Sequence, residues 1–583
     1  MNSILITLST IIIENYLNKE TTNCLYVIND ETSMFEYKGE LPIVLLNVES
    51  FKRYPKIYTK FYCENFILST KNPKQDFITV ESSIKRGHNR FNTRKYLILP
   101  TEGFLKNTTE VFNSKEIDYV SDIVAIFPDN NEIEEEITWK LYTHKYVGII
   151  NFNEIYILDE WFGKNSSFLY GNDLYPDKLT NQHGRTLRIG TITYKPYAII
   201  DYFDGTELTV ALELAKVHNM TFIVKDFDEE LWGEARENFT GIGILGNIAK
   251  DECDIGFAGM FMWYHDYHYL DVSKAFVRSG VTVLVPGPIL EGGWLTPFIS
   301  FSTSMWIAWV FSLIFSFLSI FLVLFSNNNR FDIRENVIIS ILQTEAIFLS
   351  QNVVSIPNKL TPRFIYALLL TLGLIVATIY SSGLASNMTI PRYTRILKTN
   401  KDFADSDFKW GATDIVWVES IADSNSAVHK KLVQNFVITG EANLSKLNKD
   451  EFAFAIEHLQ EGNFALADYI SVEGARQRRI LEEDIYAGFI VLYTRKGSVL
   501  LPLVDALLLK ISQSGLVQYW EYHSVIKHSD KTVQRIVEFS TQPPKAQITP
   551  LKFDHVGGAF ALWTLGLILA FCCFLYEYYW QQN

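Results

Sequence analysis

The chain is poor in several things at once. Five cysteines in 583 residues cannot build a disulfide framework, and their spacings show no metal-binding pattern. Cys24 and Cys63 either pair in an oxidising compartment or stay as buried thiols, while Cys572 and Cys573 sit in an apolar run and read as small hydrophobes. No Lys- or Arg-rich run occurs and the formal charge is −14, which excludes the basic face that a nucleic-acid partner requires. Charge is missing altogether from three long stretches, Phe298 to Phe325, Phe364 to Pro391 and Val556 to Tyr576. At a rise of about 1.5 Å per residue, each is long enough to cross a bilayer.

What is present is segregated. The mean hydropathy of +0.06 averages apolar blocks with polar ones, and the length allows two or three domains with cores of their own. Between the first two apolar stretches lies ENVIISILQTEAIFLSQNVVSIP, Glu335 to Pro357, broken by Gln343, Glu345, Gln351 and Asn352. Lipid does not tolerate that set, so the segment reads as re-entrant and facing a watery path, or else as a cytoplasmic amphipathic hairpin. The second stretch turns small and polar as it ends, in IYSSGLASNMTIPRY. Small residues there let helices cross closely.

The N-terminus, MNSILITLSTIII, has an apolar core of signal-peptide length without a basic start or a clean cleavage site, and is read as a weak signal sequence. Five Asn-x-Ser/Thr acceptors outside the apolar stretches, Asn107, Asn165, Asn219, Asn238 and Asn443, fit a luminal or extracellular face as glycosylation sites. Loop charges do not decide orientation, because long domains are translocated whatever their charge.

Two polar blocks, about 186–293 and 392–554, alternate strand-like and helix-like pieces. TLRIGTITYKPYAII and YAGFIVLYT read as strands, CDIGFAGMF as a buried strand, GTELTVALELAKVHN as a helix, and LLPLVDALLLKISQSGLVQYW as one long amphipathic helix. The pattern predicts an α/β domain split by a membrane insertion. GIGILG, with Gly241, Gly243 and Gly246, matches a dinucleotide fingerprint but lacks the preceding strand that would confirm it. No cofactor is expected.

These segments also carry a resemblance. LRIGTITYKPYAII, GTELTVALELAKVHNMTFIV, CDIGFAGMFMWYHDYHYLDVSKAFVRSGVTVLV and AGFIVLYTRKGSVLLPLVDALLLKISQSGLVQYW resemble, in order, the ligand-binding clamshell of ionotropic glutamate receptors. Tyr380, Leu384, Ser386, Thr389, Pro391 and Tyr393 resemble the motif closing the pore helix in the insect chemosensory branch, the ionotropic receptors. HVGGAFALWTLGLILAFCCFLYE resembles their last membrane helix. The resemblance implies an α/β bilobed clamshell of the periplasmic-binding-protein kind, interrupted by an α-helical transmembrane pore domain with three spans and a re-entrant segment. It divides the chain into a weak signal sequence at 1–20, a divergent N-terminal domain at 21–183 and a first clamshell half at 184–293. A pore domain at 298–391 follows, with spans at 298–325 and 364–391 and a re-entrant segment at 335–357. The second clamshell half takes 392–554, the last helix 555–577 and a cytoplasmic tail 578–583.

The implied protein is a ligand-gated cation channel subunit serving taste or smell, in a heterotetramer with co-receptor subunits at the plasma membrane of sensory dendrites. It is not expected to be an enzyme. In glutamate receptors an arginine five residues before the Asp of the DxSKxF stretch clamps the ligand carboxylate; here that position is Asp266. Trp417 and Val418 stand about where the family has hydroxyl residues, and Asp468 stands near its ammonium-binding acid. The expected ligand is therefore a small non-glutamate molecule, cationic or an amine, unless Asp266 is only a solvated loop residue. His265 and His268 beside it read as ordinary surface histidines rather than metal ligands. Gln351 and Asn352 are the expected lining of the narrowest part of the pore. Tyr380, Gly383, Ala385 and Ser386 are the expected gate. A membrane-tethered solute-binding protein, a non-conducting auxiliary subunit and an ectoenzyme are the other classes considered; no Ser-His-Asp or Cys-His set can be placed for the last.

Overall fold

The computed structural model describes residues 2–18, 24–31, 33, 35–48, 63–87, 90–101, 107–129, 138–291, 293–327, 333–353, 358–389, 392–449, 451–542 and 553–582. Two compact units emerge. One combines Met1–Pro286 with Lys398–Thr541, and the other combines Gly287–Leu397 with Gln542–Asn583.

The first unit begins with an eight-stranded sheet in the order β2-β1-β3-β4-β5-β6-β7-β8. Its strands are β1 (Leu25–Asn29), β2 (Ile43–Asn47), β3 (Asn65–Ser69), β4 (Lys95–Ile98), β5 (Asp122–Asp129), β6 (Thr138–His144), β7 (Ile155–Phe162) and β8 (Ser167–Phe168). β1 to β5 are parallel and covered on both faces, so β3 is buried at every position. One face packs under Phe77, Val80 and Ile84 of the helix Pro73–Arg86. The other receives Leu5, Leu8 and Ile12 of the helix Asn2–Ile12, within the stretch read as a signal sequence. Cys24 and Cys63 form a disulfide. The buried Arg94 makes two parallel bonds to Glu81 (2.7 and 2.6 Å) and donates to the Gly497 carbonyl at 2.6 Å. That last bond joins this domain to the loop that follows Tyr493–Arg495.

Two further sheets form the rest of this unit, named lobe 1 and lobe 2. Lobe 1 orders its strands β10-β9-β13-β24-β14, where β9 is Thr186–Thr191, β10 Thr221–Asp226, β13 Ile255–Gly256, β14 Leu270–Val272 and β24 Tyr493–Arg495. A short hairpin, β11 (Glu234–Arg236) with β12 (Thr240–Ile242), flanks it. Lobe 2 orders β19-β18-β20-β15-β22, with β21 on β20 and β23 on β15. Here β15 is Val277–Pro286, β18 Trp410–Ala412, β19 Phe436–Ile438, β20 Ala453–Leu459, β21 Phe464–Ala465, β22 Arg478–Ile480 and β23 Tyr486–Ile490. β24 comes from the far side of the helical insertion yet pairs antiparallel with both β13 and β14. Lobe 1 is thus closed by a strand from the second block.

Some expected elements are shorter than the sequence pattern suggests. The strand read through TLRIGTITYKPYAII stops at Thr191, because Lys195-Pro196 forces a turn in which Tyr194 and Ala198 bond each other's backbone. CDIGFAGMF keeps only Ile255–Gly256 as strand. The long C-terminal helix breaks at Gly515, whose φ of 74° ends Leu501–Ser514 and starts Leu516–His528. The fingerprint glycines pack a hairpin instead of a phosphate. Gly241 lies against Gly246 and the Glu234 carbonyl, where β11 and β12 meet a helix of seven residues, Gly243–Ala249.

The second unit is helical. Its long helices are Thr303–Asn327, Ile333–Phe348, Leu360–Thr389 and Phe553–Gln582, and a two-stranded ribbon pairs β16 (Leu290–Glu291) with β17 (Arg392–Tyr393). Among the described residues, three segments are long and apolar enough to cross a membrane, Thr303–Ser326, Leu360–Thr389 and Val556–Tyr579. The uncharged polar residues Asn336, Ser340, Gln343 and Thr344 of Ile333–Phe348 are buried, Gln343 accepts the Tyr366 hydroxyl, and Glu345 is exposed. Gly373 permits this approach, since a Cβ there would come within 2.5 Å of the Ile347 carbonyl.

Candidate functional site

The two lobes meet at a buried carboxyl group, Glu457. Glu457, on β20 of lobe 2, is 4 % exposed. Its Oε1 accepts the Tyr194 hydroxyl at 2.7 Å, and its Oε2 accepts Tyr197 at 2.6 Å and Ser279 at 2.7 Å. Both tyrosines sit in the lobe 1 turn after β9. The Pro196 carbonyl of that turn accepts Thr206 N–H and the Ser524 hydroxyl, each at 3.0 Å, so the turn is fixed from two helices. Gly259, with φ +64°, makes room for the rings: a Cβ there would lie 2.7 Å from Tyr197 and 3.1 Å from Tyr194. Burial pushes the Glu457 carboxyl up from its ordinary range, and the three hydroxyl donors pull it back.

An aromatic wall surrounds this contact. Tyr194 is edge-on to Trp232 from lobe 1 (5.5 Å between centroids) and to Trp417 from lobe 2 (6.3 Å). Tyr486 of β23 donates its hydroxyl to the Trp417 carbonyl at 2.9 Å and stacks edge-on against Phe261. At the rim, Lys195 bonds both carboxylate oxygens of Asp468, at 2.9 and 2.8 Å. Asp468 is 78 % exposed, so water screens this pair, whereas Glu457 is out of its reach.

The structure therefore separates the expected ligand residues. Trp417 lines the cleft. Val418 is buried in its own lobe, on the helix Val416–Ala422. Asp468 already holds Lys195. Asp266 is buried in the short helix Tyr264–Tyr267 of lobe 1, where Ala235 N–H donates to it at 3.4 Å. Burial pushes its carboxyl up to about 6, and Glu419 and Glu234 add to the effect while His265 opposes it. His265 and His268 face Tyr269 and Tyr264. Glu457 itself escaped the sequence reading. Its signal was a lone carboxylate in AFAIEHL, of which every position but His458 is buried.

In the helical unit, Gln351 and Asn352 follow the end of Ile333–Phe348 and are exposed, with Gln351 N–H bonded to the Ala346 carbonyl at 2.7 Å. Positions 354–357 and Pro391 lie outside the described residues. Tyr380 donates to the Pro297 carbonyl at 3.1 Å and packs on Phe301 and Trp306. Gly383 sits against Ser300, while Ala385 and Ser386 are exposed and their carbonyls take the Thr389 hydroxyl. Asn165, Asn238 and Asn443 are exposed, and Asn107 and Asn219 are partly or fully so, donating to the Lys71 carbonyl and the Asn181 side chain.

A two-lobed α/β unit interrupted by apolar helices is the class of protein these features define. No family model matches the chain. Among curated proteins it is similar to mouse Glutamate receptor 3, 22% identical over 456 residues, covering 69% of this chain and 49% of that protein. It is also similar to rat Glutamate receptor ionotropic, kainate 4, 20% identical over 458 residues with 71% and 45% covered. A Glutamate receptor of Lymnaea stagnalis is 21% identical over 244 residues, 38% and 27% of the two chains. The chain is thus similar, at 20–22% identity, to glutamate receptors, and it spans about half the length of the first two relatives. Those relatives are receptors and not enzymes, in agreement with the expectation for this chain.

Proposed function

We propose that this chain is a subunit of a ligand-gated cation channel of the insect chemosensory ionotropic type, at the plasma membrane of sensory dendrites, assembled with co-receptor subunits as a heterotetramer. The observation that carries the reading is the split clamshell: one compact unit made of Met1–Pro286 and Lys398–Thr541, with apolar helices inserted between the pieces. Closure of the lobes on a ligand then pulls on both chain ends that enter the helices. The ligand is small and not glutamate, because the cleft presents Glu457 and Asp468 and an acid, Asp266, where a carboxylate clamp would stand. A cation or amine meets Glu457 or displaces Lys195 from Asp468, and packs its apolar part on Trp417. Gln351 and Asn352 line the narrowest part of the pore, and Tyr380, Gly383, Ala385 and Ser386 form its gate. Asn107, Asn165, Asn219, Asn238 and Asn443 carry glycans.

Expression with a broadly used co-receptor subunit, followed by a panel of amines and tastants, tests this. Agonist-evoked cation current is expected, glutamate is expected to evoke none, and Gln351→Arg should lower divalent permeability without moving the dose-response curve. A second reading, a non-conducting auxiliary subunit, is favoured by the filling of the cleft with Tyr194, Trp232 and Trp417. Agonist currents unaffected by Gln351→Arg would select it.

A further inference from the structure

Three carboxyl groups from three elements converge where the lobes touch. Glu457 comes from β20 of lobe 2, Glu207 from the helix Thr206–Val217 and Glu521 from the helix Leu516–His528, both of lobe 1. All three are buried. Glu207 Oε2 accepts Gly259 N–H at 2.8 Å, and its Oε1 is buried with no hydrogen-bond partner among the described residues. Glu521 reaches across to lobe 2, where Glu461 N–H donates to it at 3.4 Å.

Among the described residues, no ion pair joins a cation to Glu207, Glu457 or Glu521. Lys195 is held by Asp468 at the rim, Lys527 and His528 by Asp204 within lobe 1, and His458 faces Asp484 within lobe 2. The other groups facing the three acids include Tyr194, Tyr197 and Ser279, which donate to Glu457, with Tyr469 and Tyr486 nearby and Glu461 beside Glu521. Two lobe 1 carboxylates and a third from lobe 2 cannot all stay ionised in a dry interface without a counter-charge.

We propose that closure of the clamshell takes up protons from solvent onto Glu207 and Glu521, so that acid drives the two lobes together. When the lobes part, water reaches the carboxyls and they ionise, releasing the protons to bulk; when the lobes meet, Glu457 arrives between the tyrosine hydroxyls and the other two acids become neutral. Desolvation and the Glu457 charge push Glu207 up to about 8, and burial with Glu461 and Glu457 pushes Glu521 up to about 7. Carboxyl pKa values raised in one state mean that this state binds more protons. Its population therefore rises as pH falls through the window between the two states' values. The histidine pairs, His528 with Asp204 and His458 with Asp484, each lie inside one lobe and do not oppose or favour closure across the cleft.

The inference concerns the clamshell alone and stands whether or not the pore conducts. Its test is the distance between lobes in the detergent-purified full chain, by pulsed electron paramagnetic resonance. Spin labels are placed on Glu213→Cys in lobe 1 and Lys431→Cys in lobe 2, with Cys572 and Cys573 changed to Ser. Between about pH 8.5 and about pH 6 the short-distance fraction should rise several-fold. In the Glu207→Gln, Glu521→Gln double variant that fraction should already be high at the alkaline end and should not change. Should the double variant fail to fold, Glu521→Gln alone should move the midpoint to higher pH. Distances that ignore pH, that lengthen in acid, or that shift equally in the variants overturn the proposal.

Discussion

The clamshell and the helical unit each bury a polar side chain against a tyrosine hydroxyl, with different chemistry. In the clamshell, Glu457 takes hydroxyls from Tyr194, Tyr197 and Ser279. In the helical unit, Gln343 takes one, from Tyr366. A carboxylate can be kept at a lobe interface because three hydroxyl donors compensate it. Among apolar helices a neutral amide does the same work with no charge to desolvate. The outer surfaces follow suit: Phe311, Leu322, Leu374 and Trp563 are exposed on the helices, while the clamshell exposes pairs such as Lys195 with Asp468.

The comparison breaks most readily at Glu457. Glu457→Ala strands two tyrosine hydroxyls and one serine hydroxyl at about 1–3 kcal/mol each when buried, so the clamshell should lose about 3 kcal/mol or more. A thermal melt of the purified full chain reads this, and an unchanged midpoint would show that the hydroxyls find water at no penalty. Gln343→Leu strands one hydroxyl and should remove about 1–3 kcal/mol. An effect on that melt as large as that of Glu457→Ala would erase the distinction between the two regions.

Asp266→Asn sharpens the electrostatic side. Burial raises this carboxyl from 3.8 to about 6 in the folded chain, so its native form holds a proton that the unfolded form has lost across that interval. Wild type therefore loses stability relative to the variant as pH rises from about 4 to about 6, and the difference is constant above. Melting curves of both proteins across this range should diverge with that sign; parallel curves would mean that Asp266 is solvated. The smallest effect belongs to the rim. Lys195→Ala should change stability by less than about 1 kcal/mol, and added salt should shrink the change further.

How much of this was legible follows from the range of the interactions involved. The helix Thr206–Val217 and the three apolar segments depend on local composition and period, and the sequence pattern marks them. The splitting of the α/β domain was legible because strand-like pieces recur on both sides of the insertion. Glu457 was not, since its meaning comes from Tyr194 and Tyr197, 263 and 260 positions earlier. The partner of Asp468 was hidden for the same reason: Lys195 lies 273 positions away. The breaks at Pro196 and Gly515 were written in the residues themselves, yet the apolar pattern runs through both and masks them.

The account's central claim is that closing the clamshell opens a cation path. Cells expressing the chain with its co-receptor subunit, carrying Lys195→Cys and Asp468→Cys, can be treated with a short bifunctional thiosulfonate reagent that ties the two lobes together. The account predicts a sustained cation current after treatment, absent with either cysteine alone and abolished by a reducing agent. Surface protein shown by gel to be cross-linked, in cells that pass no such current, would contradict it.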